Sequence, residues 1–224
     1  MIALITTTAG FAEIVRGRLV VYGDAATTAH NILTSELLFR LAFVGDVIAP
    51  FLYILYTLLL YNLFRPVSKS LSLLAAVFSL VGCAIGGLNS LFHLAALVVL
   101  KDAQVLGAFN MEQLQALALV FLKLHGEGYT ISMVFFGSYN VLIGYLIFRS
   151  TFLPRILGVW LALSGLYYQV TNFATFLSPA SAARLLPYIP LFGAVELVLA
   201  LWLVVIGVNV QRWKEQASEA GVPA

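Results

Sequence analysis

The residues able to do chemistry sit in apolar surroundings. Lys123-Leu124-His125-Gly126-Glu127-Gly128-Tyr129 brings an amine, an imidazole and a carboxylate together at the mouth of a run of some twenty uncharged residues. Asn89 and His93, four apart, share one helical face. Asp46 and Glu196 are isolated carboxylates flanked by apolar residues, and Gln169 and Asn172 are polar in a similar setting. Two histidines with a carboxylate are donors that zinc or another divalent metal accepts. A metal site would have to be assembled across spans, from His93 and His125 with a carboxylate on a third span or with Glu127 beside His125, because neither His-Glu-x-x-His nor His-x-x-x-His occurs. The same groups could also form a metal-free general acid/base pair. No Gly-x-Ser-x-Gly elbow, P-loop or dinucleotide fingerprint is present.

Helix pitch constrains the 123–129 stretch. Two residues apart means about 200° of rotation, so His125 and Glu127 face opposite ways on a regular helix. Either Gly126 and Gly128 loosen the helix, or His125 and Tyr129 serve one face while Lys123 and Glu127 form a pair on another. The first option predicts a kink at the glycines.

These groups need a scaffold, and composition decides its class. The chain is 62% hydrophobic and 10% charged, with a mean hydropathy of +0.99. Soluble domains carry about 25% charged residues, so lipid is the solvent. A net charge of +2 is too small to suggest a nucleic-acid partner, and no basic run appears, so no nucleic acid is expected. Cys83 is the only cysteine, which excludes an internal disulfide.

A single all-α membrane domain follows, a polytopic helix bundle with spans at 37–64, 71–100, 114–148, 156–177 and 188–210. Within the third, 114–124 is an apolar approach to the span proper. Residues 1–36 hold a partial first helix and an outer loop. The apolar run 1–12 is shorter than the ~20 residues a span needs, and Glu13, Arg16 and Arg18 end it. Asp24 is an N-cap for a short helix through Asn31. Loops are expected at 104–113 and 178–187. Arg65, Lys69, Arg149, Arg155, Arg212 and Lys214 crowd the helix ends on one side, which makes that side and the tail 211–224 cytoplasmic.

Counting helix rise from the cytoplasmic ends puts Asp46, Asn89, His93 and Glu127 roughly 27–34 Å up, and Gln169, Asn172 and Glu196 roughly 20–25 Å up. In a core about 30 Å thick, all fall in the outer half. Asp46, Asn89, His93, His125, Glu127, Gln169, Asn172 and Glu196 would then line a polar pocket open to the outside. The apolar lower half offers no stepping stones for a pump or channel. Tyr61–Arg65 and Tyr145–Arg149 also hint at a parallel repeat of two hairpins.

Several blocks carry a family resemblance. Phe135-Phe136-Gly137, Leu142-Ile143-Gly144-Tyr145-Leu146-Ile147-Phe148-Arg149-Ser150 and Phe152-Leu153-Pro154-Arg155-Ile156-Leu157-Gly158-Val159 are the strongest. Gly23-Asp24-Ala25, Arg65-Pro66-Val67, His125-Gly126-x-Gly128-Tyr129 and Leu201-Trp202-Leu203-Val204 add to them. Together they resemble the bacterial integral-membrane family known as domain of unknown function 4386. The resemblance implies a multi-pass protein of the bacterial cytoplasmic membrane, typically with six spans, and no established activity. Here the first span is expected to be half-length or truncated.

Three functions are open at this point. One is binding of a small or amphiphilic ligand in the outward pocket. The second is a membrane-embedded enzyme, metal-dependent or not, acting on lipid. The third is a non-catalytic scaffold or assembly subunit.

Overall fold

The computed structural model describes residues 2–102 and 107–221, with the backbone alone at 2–4 and 6. Parts of the expected 104–113 loop and of the 211–224 tail thus lie outside the described residues. Every regular element among the described residues is helical: α1 Ile2–Leu19, α2 Ala25–Thr34, α3 Glu36–Phe64, α4 Lys69–Lys101, α5 Met111–Arg149, α6 Arg155–Leu177, α7 Pro179–Leu185, a 3₁₀ turn Leu186–Tyr188, α8 Ile189–Val205 and α9 Val210–Glu219. Among the described residues four stretches are long and apolar enough to cross a membrane: Glu36–Phe64, Lys69–Lys101, Met111–Arg149 and Pro179–Val205. Helix α6 has the length, at 23 residues, but Ser164, Tyr167, Tyr168, Gln169, Thr171 and Asn172 crowd its middle with polar groups.

Three local expectations change. The apolar run at the start ends near Ala12, yet α1 continues to Leu19 through Glu13 and Arg16. The helix-forming sequence outlasts the hydrophobic one. The 178–187 stretch is helix rather than loop, with Pro179 at the first helical positions of α7, where its missing N–H costs nothing. Helix α8 stops at Val205 rather than 210, because Gly207 takes a φ of +76°, a left-handed turn natural to glycine.

The chain groups into two compact units. One comprises Ala3–Tyr53 and Cys83–Thr130, the other Ile54–Gly82 and Ile131–Ala224. In the first, Ala12, Val15 and Leu19 of α1 and Ile32 of α2 meet Phe39, Ala42, Ala96, Leu97 and Leu122 in a buried apolar core. Asp24 caps α2, accepting from the Thr27 N–H at 2.9 Å. Helix α1 comes so close to α3 that a Cβ on Gly45 would lie 2.9 Å from the Thr8 carbonyl oxygen. Glu36 holds Arg40 and Lys101, each at 2.8 Å.

In the second unit α5 and α6 meet through glycine. A Cβ on Gly158 would come within 2.5 Å of the Gly144 carbonyl, and one on Gly165 within 2.5 Å of Gly137's. Small residues let two backbones approach this closely. Gly82 likewise makes room for the Phe136 ring. Thr57 and Ser79 bond at 2.5 Å, and the Trp213 indole donates to the Leu63 carbonyl at 2.9 Å.

Candidate metal centre

The first unit gathers Asp46 from α3, His93 from α4 and His125 from α5, with Arg16 of α1 beside them. One carboxylate oxygen is their meeting point. Asp46 Oδ2 lies 2.5 Å from Arg16 Nη1, 3.0 Å from His93 Nδ1 and 3.6 Å from His125 Nε2. The three donor atoms of Asp46, His93 and His125 all lie within 4.8 Å of one another. His93 is fully buried and His125 nearly so.

Local structure fixes the His93 ring and the backbone that carries His125. His93 Nε2 is 3.0 Å from the Phe39 carbonyl oxygen. A carbonyl only accepts, so Nε2 carries the proton and Nδ1 is the atom turned to the cluster. The Phe39 ring packs on the His93 ring at 4.1 Å between centroids, and the two imidazoles meet edge to face at 5.8 Å. Asn89 Nδ2 donates to the His125 carbonyl at 2.8 Å. Gly128 makes that possible, since a Cβ there would run into the Asn89 carboxamide. Helix α5 passes unbroken through 126 and 128, so the glycine serves close approach rather than a helix break.

This geometry suits a small divalent cation. Tetrahedral zinc with bonds of about 2.0–2.1 Å sets its ligand atoms about 3.3 Å apart. The two histidine–carboxylate separations, 3.0 and 3.6 Å, bracket that value. A histidine that gives its other N–H to a backbone carbonyl, as His93 does, is the usual orientation of a metal-bound ring. Arg16 is the opposing feature. Its Nη1 also lies 3.3 Å from His93 Nδ1, so its cation occupies the edge of the same space, while Nη2 holds the exposed Glu13 at 2.8 Å.

Other sequence-predicted residues lie elsewhere. Glu127 is exposed, as is Lys123, because the pitch that turns His125 inward turns Glu127 away; Asp46 supplies the carboxylate instead. Glu196, Gln169 and Asn172 belong to the second unit. There Glu196 accepts from Asn140 Nδ2 at 2.7 Å. Gln169 Nε2 donates to the Val134 carbonyl at 2.8 Å and to Ser138 Oγ at 2.6 Å. Asn172 is buried, with no partner for its Nδ2 among the described residues. Arg16 was not anticipated. Its i,i+3 spacing from Glu13 was a helical signal, but beside Arg18 it read as the end of an apolar run.

Three comparisons bear on what the chain is. The family model described as "Domain of unknown function (DUF4386)" matches residues 1–207. An uncharacterized protein of the archaeon Archaeoglobus fulgidus is 27% identical over 164 residues, which is 73% of this chain and 82% of that protein. No solved structure matches.

Proposed function

The chain belongs to the DUF4386 family, and from that premise we propose that it is a membrane protein that holds one divalent transition metal at Asp46, His93 and His125. The observation that carries this reading is the convergence of His93 Nδ1 and His125 Nε2 on Asp46 Oδ2, at 3.0 and 3.6 Å. Three protein ligands leave a fourth position for water or substrate, the arrangement of catalytic rather than structural zinc. Zinc there would acidify a bound water to a pKa of about 7 and make it a nucleophile. The substrate class this implies is an amphiphile reaching the centre from the bilayer, and the same cluster is the polar end at which a small or amphiphilic ligand would bind.

The lysine and arginine distribution supports an orientation with the centre toward the outer face and the C-terminus in the cytoplasm. Helix α6 then serves as a fifth span despite its polar middle. The test is metal analysis of the purified protein in detergent. About one equivalent of metal in the wild type, lost in His93→Ala and His125→Ala, is expected; metal-free wild type after growth in zinc-supplemented medium would sink the proposal.

A second reading has its own observation. Arg16 already satisfies Asp46 at 2.5 Å. The cluster would then be a metal-free ion pair that fastens α1 to α3, as befits a scaffold. In that case both histidine variants lower stability and no metal copurifies.

A further inference from the structure

The second unit carries a site of another kind, around the turn between α8 and α9. A crevice of about 420 Å³ lies there, lined among others by Thr151, Phe152, Trp202, Ile206, Asn209 and Arg212. Pockets that hold small molecules run to about 300–1,000 Å³.

The crevice is built rather than incidental. Gly207, at φ +76°, turns the chain, and its N–H donates to the Trp202 carbonyl at 2.8 Å. The Asn209 N–H donates to the Phe152 carbonyl at 3.2 Å, tying the turn to the segment before α6. Thr151 is held by Gln216, whose Oε1 accepts from its N–H and its hydroxyl, both at 3.2 Å. Arg212 Nη1 donates to the Thr151 carbonyl at 3.3 Å.

One wall is cationic and the other apolar. Arg212 commits one of its five N–H groups to that carbonyl and is otherwise exposed. No carboxylate lies within ion-pair distance of it among the described residues. The apolar wall is Trp202 and Ile206, and Val205 beside them is 76% exposed at the end of a stretch apolar enough to cross a membrane. Helix α9 lies alongside with Ala217 buried and Arg212, Lys214 and Glu215 exposed. A free inorganic anion would use the first wall only. An anionic amphiphile would use both.

We propose that this crevice binds an anionic phospholipid, its phosphate on Arg212 and its acyl chains along Trp202, Val205 and Ile206. Anionic leaflets attract basic residues at helix ends, and a guanidinium fork grips phosphate oxygens two at a time. Trp202 suits the level between headgroup and chain.

The test is lipid binding to delipidated full-length protein in neutral detergent, read by native mass spectrometry and by thermal shift. Phosphatidylglycerol should bind and raise Tm more than phosphatidylcholine of the same chains. Arg212→Gln should weaken phosphatidylglycerol binding on the order of tenfold or more, the loss expected for a charge-assisted contact. Lys214→Gln, two residues along the same helix, should keep wild-type binding. Arg212→Lys, which keeps the charge but not the fork, should fall between and guards against a folding defect in the glutamine variant. Equal binding of the two lipids, wild-type binding by Arg212→Gln, or an equal Tm rise from glycerol 3-phosphate alone would overturn the proposal.

Discussion

Replacing Arg16 by glutamine separates a metal centre from a metal-free anchor. Arg16 Nη1 is 2.5 Å from Asp46 Oδ2, and a metal about 2.1 Å from that oxygen would lie within about 4.6 Å of the guanidinium. At that separation a divalent ion and a guanidinium repel by about 7 kcal/mol at an effective dielectric of about 20. The side chain can relieve much of this by turning toward Glu13, which already holds its other nitrogen. The net gain on removing the charge is therefore smaller, and we expect Arg16→Gln to bind zinc ten- to a hundredfold more tightly, about 1.4–3 kcal/mol. Without metal the same variant strands the Asp46 carboxylate, and breaking a buried pair costs about 3–5 kcal/mol. Zinc should restore that loss. Competition against a chromophoric chelator gives the affinity, and thermal unfolding with and without zinc gives the rescue. A variant that binds zinc no more tightly than wild type, or that stays destabilised in saturating zinc, refutes the metal reading.

Further outcomes follow from the same geometry. Glu127→Ala should leave metal content and Tm unchanged, since its side chain is exposed; a loss of metal would place that carboxylate in the site. Gly45→Val should lower stability by about 1–3 kcal/mol, because even its Cβ would sit 2.9 Å from the Thr8 carbonyl; thermal unfolding in detergent measures it. Hydrogen bonds from Thr27, first its side chain and then its backbone N–H, hold the Asp24 carboxyl below its usual range. Its contribution to α2 is thus complete above the unfolded value of about 3.9 and is lost as pH falls through the lower folded value. Amide exchange across α2 should quicken over that window in wild type, and Asp24→Asn should remove the pH dependence.

The helical class was legible in the long apolar runs, four of which are, among the described residues, helical stretches long and apolar enough to cross a membrane. The opposite facing of His125 and Glu127 follows from pitch, and Asp24 from capping chemistry. The approach of α1 to α3 was not legible, because it depends on Gly45 meeting a carbonyl 37 residues earlier in the chain. Arg16 was missed for that reason: a charge after a short apolar run looks like a helix end until tertiary packing supplies its partner. Polar character in α6 was visible, but a residue list says nothing of which polar groups share a helix and which are brought together from several.

The Arg16–Asp46 contact also bears on how the chain is made. An aspartate at the centre of an inserted helix costs about 2.5–3.5 kcal/mol, an upper bound for Asp46, which stands nearer one end of α3. Arg16 precedes Asp46 by thirty residues and leaves the ribosome first. The counter-charge is therefore already in place when Asp46 is added to the chain, whereas His93 and His125 are still to come. Of the three side chains that meet Asp46 Oδ2 in the folded protein, Arg16 is thus the first the chain can offer it.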